Sequence, residues 1–185
     1  MYSFLDKFLR WMRFKKVKKH IPKDSAVCDI GCGSDACFLK NISGLIKHGV
    51  GLDKDIKEYK DSKIELRNLE VFERIPLEGE KFDVITMMAA LEHMDYPQEV
   101  LKESFRILKK EGKLIMTTPT PLSKSILEIL AFKLRLINKE SIRDHKNYFW
   151  PGEIKKILLS AGYKKENINS YFFEFFLNSL IVAKK

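Results

Sequence analysis

Long apolar runs are missing from this chain of 185 residues, and no stretch of about 20 apolar residues occurs that could cross a membrane as a helix. Residues 1–7 already include charged side chains and lack the apolar core of a signal peptide. Glycine and proline number only 9 and 6, which excludes a collagen-like chain. These absences predict a cytoplasmic globular protein, and the length predicts one domain over residues 1–185.

Cysteine is also scarce, with only Cys28, Cys32 and Cys37, which fall within ten residues of one another. An odd number of cysteines argues against a secreted disulfide framework. No CxxC pair is present, and the cluster has no distant partner at the spacing of a zinc or iron–sulfur site. We therefore expect no metal, and expect the cysteines to be small buried residues that flank a turn.

Negative charge is the minority sign, since 34 Lys and Arg outnumber 25 Asp and Glu and leave a net charge of +9. Such a surplus suits nucleic acid, an anionic membrane surface or an acidic substrate. Six of the basic residues lie within residues 10–19. No recognised motif for reading a nucleic-acid groove accompanies them, so nucleic acid is not the expected partner.

The apolar periodicity that is present predicts alternating strands and helices. Helices are expected at 3–20, 97–110 and 125–137, and another should end at Ala161 with Gly162 after it. Strands are expected at 26–30, 49–53, 64–69, 82–87, 113–118, 168–173 and 175–183. The alternation indicates βαβ crossovers, while the closely joined last two strands must be antiparallel. The predicted fold is α/β, a Rossmann-like seven-stranded and mostly parallel sheet with a terminal antiparallel pair and helices on both faces.

A glycine-rich loop connects the first predicted strand to the helix that follows it. In an open α/β sheet, ligands bind in the crevice at the carboxyl ends of the strands, where this loop lies. Gly31, Gly33 and Ala36, followed by Asp53, fit the dinucleotide pattern, which keeps an NAD-dependent oxidoreductase as an alternative. The carboxylate of Asp29, however, would repel a pyrophosphate and suits a ligand that carries an ammonium and a sulfonium group. S-adenosylmethionine carries those charges.

Five segments together resemble the class I S-adenosylmethionine-dependent methyltransferases, and the resemblance covers most of the chain. It is closest to the small single-domain type that acts in quinone biosynthesis and on cell-surface glycans. The segments are Val27–Gly33 for the first motif, Gly51–Asp53 for the acid after the second strand, 82–94 for the fourth strand and its loop, 106–114, and 144–163.

The resemblance implies a set of cofactor-binding residues, in which Asp53 holds the ribose hydroxyls and Asp29 supports the methionine end. The full set is Asp29, Gly31, Cys32, Gly33, Asp53, Lys54, Asn68, Leu69 and Met87. The chain departs from the family at three places. Asp35 replaces a common third glycine, and Asn68 replaces an acid that meets adenine. Ala89 and Ala90 stand where quinone-biosynthetic relatives often carry a glutamate proposed to support a metal, in line with the absence of a metal.

His93 is the candidate catalytic residue that the resemblance places at the edge of the crevice. A hydroxyl acceptor must lose its proton, and a histidine suits that task near neutral pH. The alternative is that His93 only caps or orients the loop before Pro97. Glu92 is expected to brace the same loop, and His145 is expected to be solvated.

Two segments lie outside the predicted sheet and are expected to cover the crevice. The N-terminal segment 1–22 is interpreted as a helical cover, with contact to an anionic membrane surface as its alternative role. The insertion 121–149 after the fifth strand is interpreted as a helical lid over the acceptor. Its apolar face consists of Ile126, Leu127, Ile129, Leu130 and Leu134. A dimer contact or a wall for a lipid tail are the other uses of that face.

The sequence thus predicts a methyltransferase that passes the methyl group of S-adenosylmethionine to a small-molecule, lipid- or glycan-linked acceptor and leaves S-adenosylhomocysteine. Two alternatives stay open. The chain could bind the cofactor as a regulatory or partner subunit without catalysing a reaction, or it could use NAD. Binding of S-adenosylhomocysteine against NAD distinguishes the second alternative, and an assay for methyl transfer distinguishes the first.

Overall fold

The computed structural model describes residues 3–71, 74–133, 136–137 and 143–185, with the backbone alone at 132–133. Within these residues the chain forms one eight-stranded sheet in the order β3-β4-β2-β1-β5-β6-β8-β7. The strands are β1 Ala26–Ile30, β2 His48–Asp53, β3 Tyr59–Lys60, β4 Ile64–Asn68, β5 Phe82–Met88, β6 Leu108–Pro119, β7 Ile168–Phe173 and β8 Asn178–Lys184.

The five central strands are parallel, and the antiparallel pairs lie at the two ends of the sheet. β1 pairs with β2 and β5, β2 pairs with β4, and β5 pairs with β6, all in parallel. β8 runs antiparallel to both β6 and β7. The predicted fold class is confirmed, and one short strand is added. Residues Tyr59–Lys60 pair antiparallel with β4. Hydrophobic periodicity cannot reveal a strand of only two residues.

Helices cover both faces of the sheet. They are α1 Phe4–Lys18, α2 Cys37–Ile42, α3 Pro97–Ile107, α4 Ser123–Glu128 and α5 Pro151–Ala161, and a π-helical turn Ile129–Lys133 follows α4. Along β6, Leu114 and Met116 belong to one buried cluster while Ile115 belongs to the other. This alternation is expected of a strand with a core on each side. Among the described residues, no helix is long and apolar enough to cross a bilayer.

Three predicted boundaries were wrong. The helix expected at 97–110 ends at Ile107, because Leu108 pairs with Phe82 of β5 and is fully buried. The last strand begins at Asn178 instead of 175, because residues 174–176 adopt positive φ angles and form a turn. The helix expected at 125–137 changes after Glu128 into the π-helical turn, and Leu134 of its predicted apolar face lies outside the described residues.

Candidate functional site

The glycine-rich loop leaves β1 at the carboxyl end of the sheet and turns sharply toward α2. Gly31 and Gly33 both have a φ of +73°, a left-handed conformation that side chains disfavour. The amides of Gly31 and Cys32 donate to the carbonyl of Leu52, which ties the loop to the end of β2. A Cβ on Gly31 would lie 2.5 Å from the Cβ of Ala90, whereas one on Gly33 would meet nothing closer than 3.8 Å. Glycine at position 31 therefore allows two segments of the chain to approach closely, whereas a Cβ atom would fit at position 33.

Asp29 is fully buried at the end of β1 and lines a large cavity. Its Oδ1 accepts a hydrogen bond of 2.6 Å from the hydroxyl of Thr86, but its buried Oδ2 has no hydrogen-bond partner within the described part of the chain. Burial raises the pKa of Asp29 to about 7, against the opposing effect of the Thr86 hydrogen bond. A carboxyl group in this state is energetically costly unless a cationic or donor group of a ligand meets the vacant oxygen.

Asp53 connects the end of β2 to the glycine-rich loop. Its carboxylate accepts from the amide of Gly33 at 2.8 Å and from the amide of Asp55 at 2.9 Å. Each carboxylate oxygen keeps further acceptor capacity after one such bond, and the side chain is half-buried. Asp53 can therefore support the loop and still accept hydrogen bonds from a ligand.

Three other predicted residues gather at the ends of β2 and β4. The side-chain amide of Asn68 donates to the carbonyls of Lys54 and Ile56, at 2.8 and 3.0 Å, so it braces the loop after β2. The amide of Leu69 donates to the carbonyl of Asp53 at 3.0 Å. Asp53, Lys54, Asn68 and Leu69 do not line the large cavity, and they form a separate part of the crevice beside it.

The large cavity has a volume of about 770 Å³ and lies between the sheet, α1, α4 and the turn between β7 and β8. Asp29, Gly31, Cys32 and Gly33 form its floor with Met88 and Ala89. Its walls are mostly apolar and come from Leu5, Phe8, Leu9, Met12, Ile126, Leu127, Leu130, Ile137, Phe175 and Leu177. The segments predicted as a cover and a lid thus border the cavity, although their motion remains a prediction.

The side chain of Met87, a predicted cofactor-binding residue, does not line the large cavity. Its side chain is fully buried in the core cluster that contains Ile85 and Leu101. The next residue, Met88, lines the cavity instead. Neighbouring side chains of a strand point to opposite faces of the sheet, so only one of the two methionines can reach the cavity. Any contact of Met87 with a ligand would have to come from its backbone.

His93 lies in the short 3₁₀ helix Leu91–His93 after β5 and lines the cavity. Its Nδ1 is 3.0 Å from the carbonyl oxygen of Asp144. A carbonyl only accepts, so Nδ1 must carry the proton, and in the neutral ring Nε2 then carries the lone pair. Burial lowers the pKa of His93 below its ordinary value of 6.5, which keeps the ring neutral at neutral pH.

His145 was expected to be solvated, and the structure contradicts this expectation. Its ring lies 4.9 Å from the ring of His93 in an edge-to-face arrangement and lines the cavity. Its Nδ1 is 3.0 Å from the hydroxyl of Tyr148. The backbone amides of Lys146 and Asn147 donate to the carbonyl of Glu92, at 2.9 and 3.0 Å, and hold this segment against the 3₁₀ helix. Such contacts between distant segments leave no local signal in the sequence.

Glu92 is fully buried and lines the cavity, and neither of its carboxylate oxygens has a hydrogen-bond partner among the residues that the structure describes. Burial raises its pKa to about 7, and the positive charge of Arg13 from α1 opposes that rise. Glu92, His93 and His145 each offer one atom that could bind a metal ion, and these three atoms lie within 4.8 Å of one another. Metal sites also combine a carboxylate with two histidines. The expectation of no metal stays a prediction. The sequence interpretation of Glu92 as a brace missed these vacant oxygens.

The profile of the family described as "Methyltransferase domain" matches residues 4–168 of this chain. The ubiquinone biosynthesis O-methyltransferase of Coxiella burnetii is 25% identical over 163 residues, which cover 82% of this chain and 69% of that protein. The demethylmenaquinone methyltransferase of Oceanobacillus iheyensis is 24% identical over 202 residues, which cover 92% of this chain and 85% of that protein.

Solved structures show the same fold. The structure of a SAM-dependent methyltransferase from Archaeoglobus fulgidus superposes on this chain with a TM-score of 0.72 at 20% identity, and the match covers 98% of each chain. A second one, from Aquifex aeolicus, has a TM-score of 0.66 at 16% identity and covers 92% of this chain and 88% of its own. At these identities the structural likeness concerns the architecture of the sheet and its helices.

Proposed function

The chain belongs to the methyltransferase domain family, and we propose that it transfers the methyl group of S-adenosylmethionine to a hydroxyl group of a small phenolic, quinone-type acceptor. One observation carries this proposal. Between the glycine-rich loop and the two covering segments lies a mostly apolar cavity of about 770 Å³, and its polar groups include His93, Glu92 and the carboxyl group of Asp29, whose Oδ2 is vacant among the described residues. A pocket with apolar walls and a few converging polar groups is typical of small-molecule sites.

The residues at the crevice fit S-adenosylmethionine. The vacant Oδ2 of Asp29 would accept from its ammonium group, and the carboxylate of Asp53 would accept from its ribose hydroxyls. Gly33 leaves open space at the position where a side chain would otherwise project. When bound, the cofactor supplies an electrophilic methyl group. The protein's contribution is to align the acceptor with that group and to exclude water.

His93 is suited to remove the proton of the acceptor hydroxyl. The Nδ1–H bond to the carbonyl of Asp144 holds the ring in one tautomer, so the proton would pass to Nε2. The lowered pKa keeps the ring unprotonated and ready for this transfer at neutral pH. Glu92 lies beside it and would accept a hydrogen bond from a second hydroxyl of the acceptor, which satisfies one of its vacant oxygens.

Asp53→Ala is expected to weaken the binding of S-adenosylhomocysteine by about 1.5–3 kcal/mol, the usual effect of losing a hydrogen-bond partner that is charged. The control variant Asp55→Ala removes an exposed carboxylate two residues after Asp53, outside the proposed site. It should leave binding unchanged. Isothermal titration calorimetry measures both. Unchanged affinity in Asp53→Ala would remove Asp53 from the cofactor site.

The cavity walls support this acceptor class, and so do the relatives, whose names refer to ubiquinone biosynthesis and to demethylmenaquinone. A phenol that carries an apolar substituent would match walls formed by residues such as Leu9, Ile126 and Leu127. A glycan-linked acceptor, which the resemblance also allows, would lack a comparable match to these apolar walls. We include in this proposal a cytoplasmic location and contact of α1 with a membrane surface. The three cysteines are free, as a reducing compartment favours.

The acceptor proposal is tested with a catechol that carries a short prenyl tail, incubated with the protein and S-adenosylmethionine. We expect O-methylated product by mass spectrometry, and none from the matched aniline, which lacks the hydroxyl group whose proton His93 is proposed to remove. Methylation of the aniline alone would contradict an oxygen acceptor. Intact binding of S-adenosylhomocysteine without methyl transfer to either compound would favour a non-catalytic subunit.

A further inference from the structure

Three segments of the chain place apolar side chains around the mouth of the cavity. Phe8 of α1, Ile126 of α4 and Phe175 of the β7–β8 turn all line the cavity, yet they are 44%, 42% and 96% exposed. Each therefore has one side toward the cavity and one side toward solvent. The same segments expose further apolar residues, namely Phe4, Trp11, Leu122, Ile129, Phe172 and Phe176. We call these nine residues the apolar rim.

Hydrogen bonds connect the three segments into one surface. The hydroxyl of Ser3, which caps α1, donates to the carbonyl of Leu136 at 2.6 Å. The hydroxyl and amide of Thr120, just before α4, donate to the carbonyls of Phe176 and Leu177 at 2.7 and 2.9 Å. The rim is thus formed in the folded protein and does not need to be assembled by a ligand.

The β7–β8 turn displays its aromatic residues at an energetic cost. Glu174, Phe175 and Phe176 have φ angles of +52°, +53° and +68°, a conformation that bulky residues rarely adopt. The turn holds Phe175 almost fully in solvent, where it gains nothing from burial within this chain. Contiguous exposed apolar groups of this kind mark a surface that binds a partner.

Exposed lysines accompany the rim on α1 and α4, whereas the acidic residues of its three segments, Asp6, Glu128 and Glu174, are half-buried. Along α1, Lys7, Lys15, Lys16 and Lys18 are exposed, and Lys124 of α4 is exposed beside the mouth. The ammonium group of Lys15 lies 5.1 Å from the ring of Trp11, so charged and aromatic groups alternate on one surface. A second copy of the chain would bring the same basic residues face to face, and like charges would oppose that contact. An anionic, partly apolar surface is the complementary partner.

We propose that the apolar rim docks on an anionic phospholipid bilayer, with the aromatic side chains at the acyl boundary and the lysines among the headgroups. The mouth of the cavity then opens against the membrane, and an acceptor dissolved in lipid enters without crossing water. This route to the cavity rests on the proposed function, whereas the docking itself does not require an acceptor.

The test measures co-sedimentation of the full chain with vesicles of phosphatidylcholine alone and of phosphatidylcholine with phosphatidylglycerol in equal amounts. We expect binding to the anionic vesicles that weakens as salt is added, because exposed charges are screened. The double variant Phe4→Ser with Phe176→Ser removes two rim residues that do not line the cavity. Its partition into anionic vesicles should fall about tenfold or more.

The matched control is Tyr59→Ser with Leu159→Ser, which removes two exposed apolar side chains from β3 and α5, away from the mouth, and should bind like the parent chain. Equal vesicle binding by the rim variant, or no binding by the parent chain, would overturn the proposal. A parent dimer in sedimentation velocity that the rim variant dissolves would overturn it in favour of a second copy. Methylation of the catechol in vesicle-free buffer is measured separately, so its failure would contradict the proposed function alone.

Discussion

Gly33→Val is expected to reduce the binding of S-adenosylhomocysteine about a hundredfold or more while the protein stays folded. A side chain at this position would project into the open space beside the loop, where the cofactor is proposed to lie. Overpacking alone typically costs about 1–3 kcal/mol, and a cofactor in direct contact has little room to move away. The φ of +73° adds strain of roughly 1–2 kcal/mol to the folded chain, which lowers its melting temperature without unfolding it.

Two other glycines separate this effect from general damage. Gly44→Val introduces the same side chain where nothing lies within 4 Å, so both folding and binding should persist. Gly31→Val would force its Cβ to within 2.5 Å of Ala90 and should disturb the fold of the loop itself. Calorimetry for binding and circular dichroism for melting distinguish the three variants. Normal cofactor binding by Gly33→Val would mean that the glycine-rich loop does not contact the cofactor.

His93→Asn is expected to lower kcat for the catechol by about 10²–10⁴-fold, the usual contribution of a positioned general base. The amide group of asparagine can still donate to the carbonyl of Asp144, as Nδ1 does now, but it lacks the Nε2 lone pair. The substitution therefore removes the proposed base and keeps the bond that orders the loop. Affinity for S-adenosylhomocysteine should change little, because His93 is not proposed to hold the cofactor.

The pH profile distinguishes a catalytic role of His93 from an orienting one. In the parent chain at saturating cofactor, kcat should fall with decreasing pH as His93 becomes protonated. Burial lowers its pKa, so this fall should begin below the ordinary value of 6.5. The asparagine variant should lose this fall and keep only any change near pH 7 that comes from the carboxyl groups of Asp29 and Glu92. His48→Asn, at the start of β2, serves as the matched control and should behave like the parent chain. A variant with unchanged kcat would leave His93 with a structural role only.

Local patterns were enough to predict most of the framework. The strands lie near their predicted positions because most of them form short apolar runs bounded by polar or turn residues, a pattern that is visible in the sequence. Gly162 ends α5 with a φ of +112°, as its position after Ala161 indicated. The predicted boundaries were wrong where strand pairing sets the end of an element. Leu108 continues the apolar pattern of α3, yet its contact with Phe82 assigns it to β6.

The candidate site divides in the same way. Asp29, Gly31, Gly33 and Asp53 could be predicted because they stand at fixed offsets from strand ends, where the backbone itself brings them together. Neither the burial of Glu92 at the cavity nor the contact of His145 with His93 could be predicted. They arise when residues 144–147 dock on the 3₁₀ helix after β5, across a separation that no local pattern encodes.

The sequence by itself thus determined the class of fold, the glycine-rich loop and the acids at the ends of β1 and β2, because these depend on residue type and spacing along one stretch of chain. Only the tertiary structure decided that Met88 reaches the cavity instead of Met87, since the pleat of β5 selects one of two adjacent side chains. It also decided that α1, α4 and the β7–β8 turn meet around one apolar mouth. Their contacts join distant positions, from Thr120 and Phe176, 56 residues apart, to Ser3 and Leu136, 133 residues apart, and such contacts exist only after the chain has folded.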